Sequence, residues 1–302
     1  MLRPLPHRGD VVAAGAVALA ALVVLLALRF NDVWSDGVHL AYSAAAAAFV
    51  GALALRAPRE GPEPRPYQSA LLVTTLALAA ATLTRLAALL GAGGFDSGST
   101  IGWIAGALAV LGLGLGYARS SVVCILLGAV SMVGALVGLV DWAFSPDGVA
   151  PFRWLLLGLA GAFALATVAE RDRRPSRAVA MANVAGLTAL ALALSFGLSL
   201  GEEGPDAETA GAGWELFLYA CGFGLCAYSA VDRAPGPGWL GGAVLVTTTL
   251  VASVGDATLL GWPLVLGAGA AALFVVGLRP SRPLPPAPGR GEALVFDIRE
   301  ER

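Results

Sequence analysis

Residues 101–144 read IGWIAGALAVLGLGLGYARSSVVCILLGAVSMVGALVGLVDWAF, an almost uninterrupted apolar run with one arginine and one aspartate. A helix that crosses a membrane needs about 20 apolar residues, so this run is too long for a single crossing. The Arg-Ser-Ser triplet at 119–121 is its main polar interruption and predicts the turn of a helical hairpin. The run therefore predicts two antiparallel transmembrane helices, residues 101–118 and 121–140.

The whole chain has the same character. Of its 302 residues 57% are hydrophobic and only 13% are charged, whereas a soluble domain carries about 25% charged residues. Lipid is the solvent in which this composition is stable. We predict an all-α, polytopic transmembrane bundle over residues 1–278, with about ten spans and both termini in the cytoplasm. The predicted spans are residues 11–29, 37–55, 68–91, 101–118, 121–140, 153–169, 178–200, 214–231, 238–255 and 258–278.

The arginines indicate the orientation. The chain has 19 basic residues, all of them arginine. When ten spans alternate from a cytoplasmic N-terminus, all but Arg29, Arg85 and Arg153 lie on the cytoplasmic side. Cytoplasmic loops are enriched in Lys and Arg, so this placement supports the span count independently of hydropathy. The abundance of Ala and Gly suggests a bacterial genome, and we predict a bacterial plasma (inner) membrane.

The C-terminal segment, residues 279–302, is predicted to be a cytoplasmic tail. It opens with several prolines, typical of an extended polyproline spacer, and then has the strand-like run EALVFDIR at 292–299. Two interpretations stay open for this run. It is either a disordered tail or a peptide that binds a partner protein by adding a strand to it.

Two sequence similarities suggest a repeated hairpin. Arg56-Ala57-Pro58 followed by LVTT at 72–75 recurs as Arg233-Ala234-Pro235 followed by LVTT at 245–248. Gly-Trp at 102–103, with a tyrosine fourteen residues after the tryptophan, recurs at 213–214 with the same spacing. Either the hairpins arose by duplication, or every membrane hairpin draws on the same few residue types.

Glycines predict where helices approach each other closely. Gly112 and Gly116, and likewise Gly134 and Gly138, are spaced by four residues and share one helix face. Small residues at this spacing allow close contact between membrane helices.

Arg85 is the residue that predicts a polar site. It lies inside the third predicted span, and an ionisable side chain at that depth is a functional candidate. Thr82 and two further threonines share its helix face. The alternative is an arginine that extends to the lipid headgroups beside threonines that bond to their own backbone.

Carboxylates at a similar depth are candidate partners for Arg85. Asp256 shares a face of the ninth span with Ser253, and Asp141 lies near the outer end of the fifth span. We predict an outward-facing polar site formed by Arg85 and either Asp256 or Asp141. The alternative is that these acids mark helix ends in contact with water.

Several function classes lack support in the sequence. The net charge of −2 argues against nucleic-acid binding. Two histidines and three cysteines in apolar stretches indicate neither a metal site nor a disulfide framework, and no cofactor motif is present. We find no catalytic motif, so we predict that the chain is not an enzyme.

Two functions remain. The first is the transport or binding of a small molecule, supported by the multi-span architecture and by polar groups on helix faces. The second is a non-catalytic scaffold, assembly or sensor subunit, supported by the scarcity of charge near the bilayer centre. Oligomeric state is left open by the sequence.

Overall fold

The computed structural model describes residues 9–31, 33–58, 64–92, 97–198 and 211–254. Within these ranges the chain is helical and has no strand, which confirms the all-α fold class. The helices are α1 (Gly9–Arg29), α2 (Asp36–Arg56), α3 (Pro66–Leu89), α4 (Gly98–Arg119), α5 (Val122–Phe144), α6 (Ala150–Glu170), α7 (Pro175–Leu198), α8 (Ala212–Asp232) and α9 (Pro235–Val254).

Eight of the described helices, α1 to α8, are long and apolar enough to cross a membrane. Helix α9 begins with Pro-Gly-Pro-Gly-Trp, so the apolar stretch within its described residues is shorter. The predicted tenth span and the tail, residues 258–302, lie outside the described residues. The helices are consistent with a multi-pass membrane protein, whereas the count of ten and the location of the termini stay predictions.

Neighbouring helices pair as antiparallel hairpins joined at one end of the bundle. Helices α2 and α3, α4 and α5, α6 and α7, and α8 and α9 form the most extensive contacts. The hairpins α4–α5 and α8–α9 have the shortest connections. In these connections Ser120 and Arg233 have φ angles of 55° and 54°, a left-handed conformation that ends a helix and reverses the chain. We call this the arginine-rich end, because Arg56, Arg119 and Arg171 also lie there. The predicted hairpin unit is therefore present, and its origin by duplication stays a prediction.

The odd-numbered helices connect the hairpins. Helix α3 contacts α1 and α5, and α7 contacts α5 and α9, so these helices form one continuous series of contacts. Each even-numbered helix packs mainly on the odd-numbered helix that follows it. Within the described residues, the even-numbered helices do not pack along one another. This arrangement leaves space between neighbouring even-numbered helices, and an odd-numbered helix lies at the bottom of that space.

Glycines bring the backbones of α4 and α5 into close contact. A Cβ atom on Gly112 would lie 2.8 Å from the Cα of Gly128, and one on Gly138 would lie 2.5 Å from the backbone nitrogen of Gly102. Lipid provides no hydrophobic drive for helix association, so close contact of this kind supplies the dispersion energy that holds the pair. The predicted packing role of Gly112, Gly116 and Gly138 is confirmed, whereas a Cβ on Gly134 would make only an ordinary contact, 3.6 Å from the Cβ of Ala105.

One arginine at the arginine-rich end caps a neighbouring helix. The guanidinium of Arg119, at the end of α4, donates to the carbonyl oxygens of Ala54 and Ala57 at 2.7 and 3.1 Å, and to that of Leu55. These carbonyls belong to the last turn of α2 and to its C-cap, where helical partners are missing and the helix dipole is negative. The arginine therefore stabilises a helix end.

Candidate functional site

The structure places Arg85 of α3 beside the connection between α1 and α2. Its Nη1 donates to Oδ1 of Asn31 at 3.0 Å and lies 3.4 Å from Oδ1 of Asp36, the first residue of α2. Arg85 is 22% exposed in its side chain and Asp36 is 43% exposed. The contact ties three helices together at the end of the bundle opposite the arginine-rich end.

The other predicted site residues do not converge on Arg85. The hydroxyl of Thr82 donates to the carbonyl of Leu78 at 2.8 Å, which is a bond to its own helix. Asp141 lies on α5 against Gly98, so the structure does not pair it with Arg85. Asp256 lies outside the described residues, as does the side chain of Ser253. The contact of Thr82 is the one stated in the alternative, a bond to its own backbone, whereas Arg85 bonds to Asn31 and Asp36 and does not extend to the lipid headgroups.

Aromatic residues pack together at this same end of α1 and α2. His39 is fully buried, with Nε2 3.3 Å from the carbonyl of Phe30 and Nδ1 2.7 Å from the hydroxyl of Tyr42. The ring of Trp34 stacks on Phe30 with centroids 4.5 Å apart. Both nitrogens of the histidine face hydrogen-bonding partners within the chain, so the set reads as a structural cap.

Arg85→Ala is expected to have a small effect. The ion pair with Asp36 is partly exposed, and pairs of this kind contribute about 0–1 kcal/mol. We expect the midpoint of SDS-induced unfolding, followed by circular dichroism, to fall only slightly. Asp36→Asn is the matched variant, and a loss of several kcal/mol in either variant would contradict the assignment.

A different candidate site lies between α6 and α8. Helix α6 packs on α7, and α8 packs mainly on α9 and more lightly on α7, which leaves a cleft with α7 as its floor. The cleft has a volume of about 370 Å³, within the range of roughly 300–1,000 Å³ for small-molecule pockets. Its lining residues are Ala160, Ala164, Thr167 and Val168 of α6, Ala182 and Ala185 of α7, and Ala220, Cys221, Gly224, Leu225 and Tyr228 of α8.

The chemistry of the lining is almost entirely apolar. Alanine and glycine dominate, and no charged side chain is among the lining residues. The hydroxyl of Thr167 donates to the carbonyl of Phe163 at 2.9 Å, which satisfies it within its own helix. The Tyr228 hydroxyl, which bonds to Asp232, is the main polar group and lies at the arginine-rich end. The cleft therefore suits an apolar body with any polar group at one end.

Two contacts join α6 to α8, one beyond each end of the cleft. At the end opposite the arginine-rich one, the rings of Trp154 and Trp214 lie with centroids 4.9 Å apart. At the arginine-rich end, the guanidinium of Arg171 donates to both carboxylate oxygens of Asp232, at 2.6 and 3.2 Å. That hydrogen bond raises the pKa of Arg171 above its ordinary value. By helical rise the two bridges are about 26 Å apart, close to the hydrocarbon thickness of about 30 Å.

Sequence reasoning missed this cleft, although a signal for it exists. Small residues spaced by three or four positions occur on all three helices, as in Ala160 and Ala164, Ala182 and Ala185, and Ala220 and Gly224. The same spacing on α4 and α5 marks direct contact. Sequence alone does not distinguish a small-residue face that touches its neighbour from one that lines a cleft.

Comparisons with protein-family models, with curated proteins and with solved structures give no match for this chain. The site must therefore be interpreted from its own geometry.

Proposed function

We propose that the protein binds a small apolar or amphiphilic molecule in the cleft between α6 and α8, as a membrane receptor or carrier. The observation that carries this proposal is a cavity of about 370 Å³, walled by two helices that bridge at both ends and stand apart between. It is a specific form of the small-molecule function expected from the sequence.

The lining selects the class of molecule. A polar solute in this cleft would lose its hydrogen bonds to water and find few replacements, which costs several kcal/mol for each unsatisfied group. An apolar chain or ring loses nothing of this kind. No helix of the described residues covers the side of the cleft away from α7, so in a bilayer this side would face lipid. Entry from the hydrocarbon therefore fits the geometry better than entry from water.

The proposal includes the predicted membrane and orientation. With the arginine-rich end in the cytoplasm of a bacterial cell, the Tyr228 end of the cleft lies towards the cytoplasmic leaflet. The proposal needs no catalytic step, and the expectation that the chain is not an enzyme stays a prediction.

Filling the cleft is expected to abolish binding. In Gly224→Leu the new side chain enters the cleft, and a Cβ there meets no atom within 4 Å, so the helix itself is undisturbed. The protein in lipid nanodiscs is irradiated with a long-chain alcohol that carries a diazirine, and adducts are mapped by mass spectrometry. We expect adducts on α6 and α8 in the natural protein and a several-fold lower yield in the variant.

Gly161→Leu is the matched control. Gly161 lies on α6, is not among the lining residues and also has no atom within 4 Å of an added Cβ. The control should keep the natural yield. Equal labelling of Gly224→Leu and the natural protein would overturn the proposal, as would adducts spread evenly over all helices. Transfer of the probe between leaflets of liposomes then distinguishes a carrier from a receptor.

A scaffold is the second candidate, and one feature favours it. A groove of about 640 Å³ runs along α4 and α5, lined by small residues such as Gly102, Gly106 and Ala135 and flanked by Trp103 and Trp142. Small residues of this kind accept a helix from another membrane protein. The proposed docking of the tail to a partner protein belongs to the same candidate. Crosslinking from the groove to a second chain in native membranes would support it.

A further inference from the structure

Arg171 and Asp232 extend the two walls of the cleft by one helical turn. Arg171 follows Thr167 by four residues, and Asp232 follows Tyr228 by four, so each lies on the same helix face as a lining residue. Asp232 also accepts a hydrogen bond from the Tyr228 hydroxyl. The ion pair therefore forms the mouth of the cleft at the arginine-rich end.

The mouth is suited to a negative group. The side chain of Arg171 is 46% exposed, so its guanidinium is accessible although it bonds to Asp232. Arg173 and Arg174 follow within the same connection, and Arg233 follows Asp232. Because Glu170 and Asp172 flank Arg171, these two segments hold four arginines and three carboxylates, a small positive excess. A planar guanidinium binds carboxylate, sulfonate or phosphate oxygens in the same two-pronged way as it binds Asp232.

The depth of the cleft indicates which part of a ligand it holds. On both α6 and α8 the lining residues extend over nine positions, from Ala160 to Val168 and from Ala220 to Tyr228. This corresponds to about 12 Å of helical rise, less than one half of the hydrocarbon thickness. A single chain from one leaflet fits this depth, with its head at the mouth.

We infer that the ligand is a single-chain amphiphile with an anionic head, and that Arg171 recognises the head by exchanging Asp232 for it. The inference rests on the proposed binding function. Asp232 competes with the ligand head in this arrangement, and it holds the guanidinium at the mouth when no ligand is bound. Tyr228 lies at the boundary between the apolar lining and the mouth, and its hydroxyl donates to an oxygen of Asp232 or of the ligand head.

The test compares probes that have the same hydrocarbon chain and different head groups. The full protein in nanodiscs of neutral lipid is labelled at alkaline pH with diazirine probes that share a chain and carry a carboxylate, a hydroxyl or a trimethylammonium head. We expect the carboxylate to label the natural protein about two- to fivefold more than the hydroxyl, the range for a partly exposed ion pair. The trimethylammonium probe should label least. Arg171→Gln should reduce labelling by the carboxylate to that by the hydroxyl, and Asp232→Asn should increase it.

The controls separate this inference from the binding function. Labelling by the hydroxyl probe reports whether each variant is folded and keeps its cleft. This labelling should not change in Arg171→Gln. Arg56→Gln removes an exposed arginine of the arginine-rich end that is not part of the mouth, and this variant should keep the carboxylate preference. Equal labelling by carboxylate and hydroxyl in the natural protein would overturn the inference and leave cleft binding intact. A preference that survives Arg171→Gln would overturn the role of Arg171.

Discussion

Replacing Gly112 with leucine is expected to lower the free energy of unfolding by about 3 kcal/mol, the upper part of the range for overpacked sites. The Cβ of the new side chain would lie 2.8 Å from the Cα and 3.0 Å from the backbone nitrogen of Gly128 on α5. Backbone atoms cannot rotate away as side chains do. The two helices must therefore separate, and the dispersion contacts along the hairpin are lost together.

Gly114 provides the matched control, two residues along the same helix. A Cβ there meets no atom within 4 Å. Leucine is a better helix former than glycine by roughly 0.5–1 kcal/mol, so Gly114→Leu should be as stable as the natural protein or slightly more stable. Both variants are unfolded with SDS in mixed micelles and followed by circular dichroism. Equal midpoints for the two would show that the close contact contributes no stability.

The hairpin at 101–144 was predictable because its determinants are local. Apolar length sets the number of crossings, and the Arg-Ser-Ser triplet at 119–121 marks where the chain leaves the hydrocarbon. The observed helices, Gly98–Arg119 and Val122–Phe144, begin and end within a few residues of the predicted ones. The spacing of the glycines also identified the contact face, since no other residue type allows the backbones to come so close.

The partner of Arg85 was not predictable in the same way. Residues at equal depth on several helices are equivalent in a hydropathy profile, and only the packing order decides which are neighbours. Because α3 packs on α1 and α2, Arg85 reaches Asn31 and Asp36. Asp141 belongs to another hairpin. The cleft was missed for a related reason: α7 keeps α6 and α8 apart, and this cannot be read from either helix alone.

Two of the three arginines that break the orientation pattern have partners inside the protein. Arg85 bonds to Asn31 and Asp36, and Arg153 is 2% exposed, with its guanidinium carbon 3.9 Å from the centroid of the Phe196 ring. These two arginines therefore do not present free charge to the surrounding phase. Their placement away from the arginine-rich end follows from packing, so they do not weaken the predicted orientation.

Arg153→Ala is expected to lower the free energy of unfolding by about 2–3 kcal/mol. The side chain fills space beside Phe196 in the group of buried residues that includes Leu156 and Leu218, and its Nη2 donates to the carbonyl of Ser195 at 3.3 Å. Truncation to alanine creates a cavity of nearly the whole side chain and removes the hydrogen bond. The midpoint of SDS-induced unfolding should fall accordingly.

Two further variants separate volume from charge. Arg153→Met fills most of the space without a charge, and a buried charge replaced by a well-packed apolar residue often costs little. We expect the methionine variant to recover at least half of the loss. Arg29→Ala removes an exposed arginine at the same end of the bundle and should leave the midpoint unchanged. If methionine is no better than alanine, the guanidinium itself holds α6 against α7, through its contact with Phe196 and its hydrogen bond to Ser195.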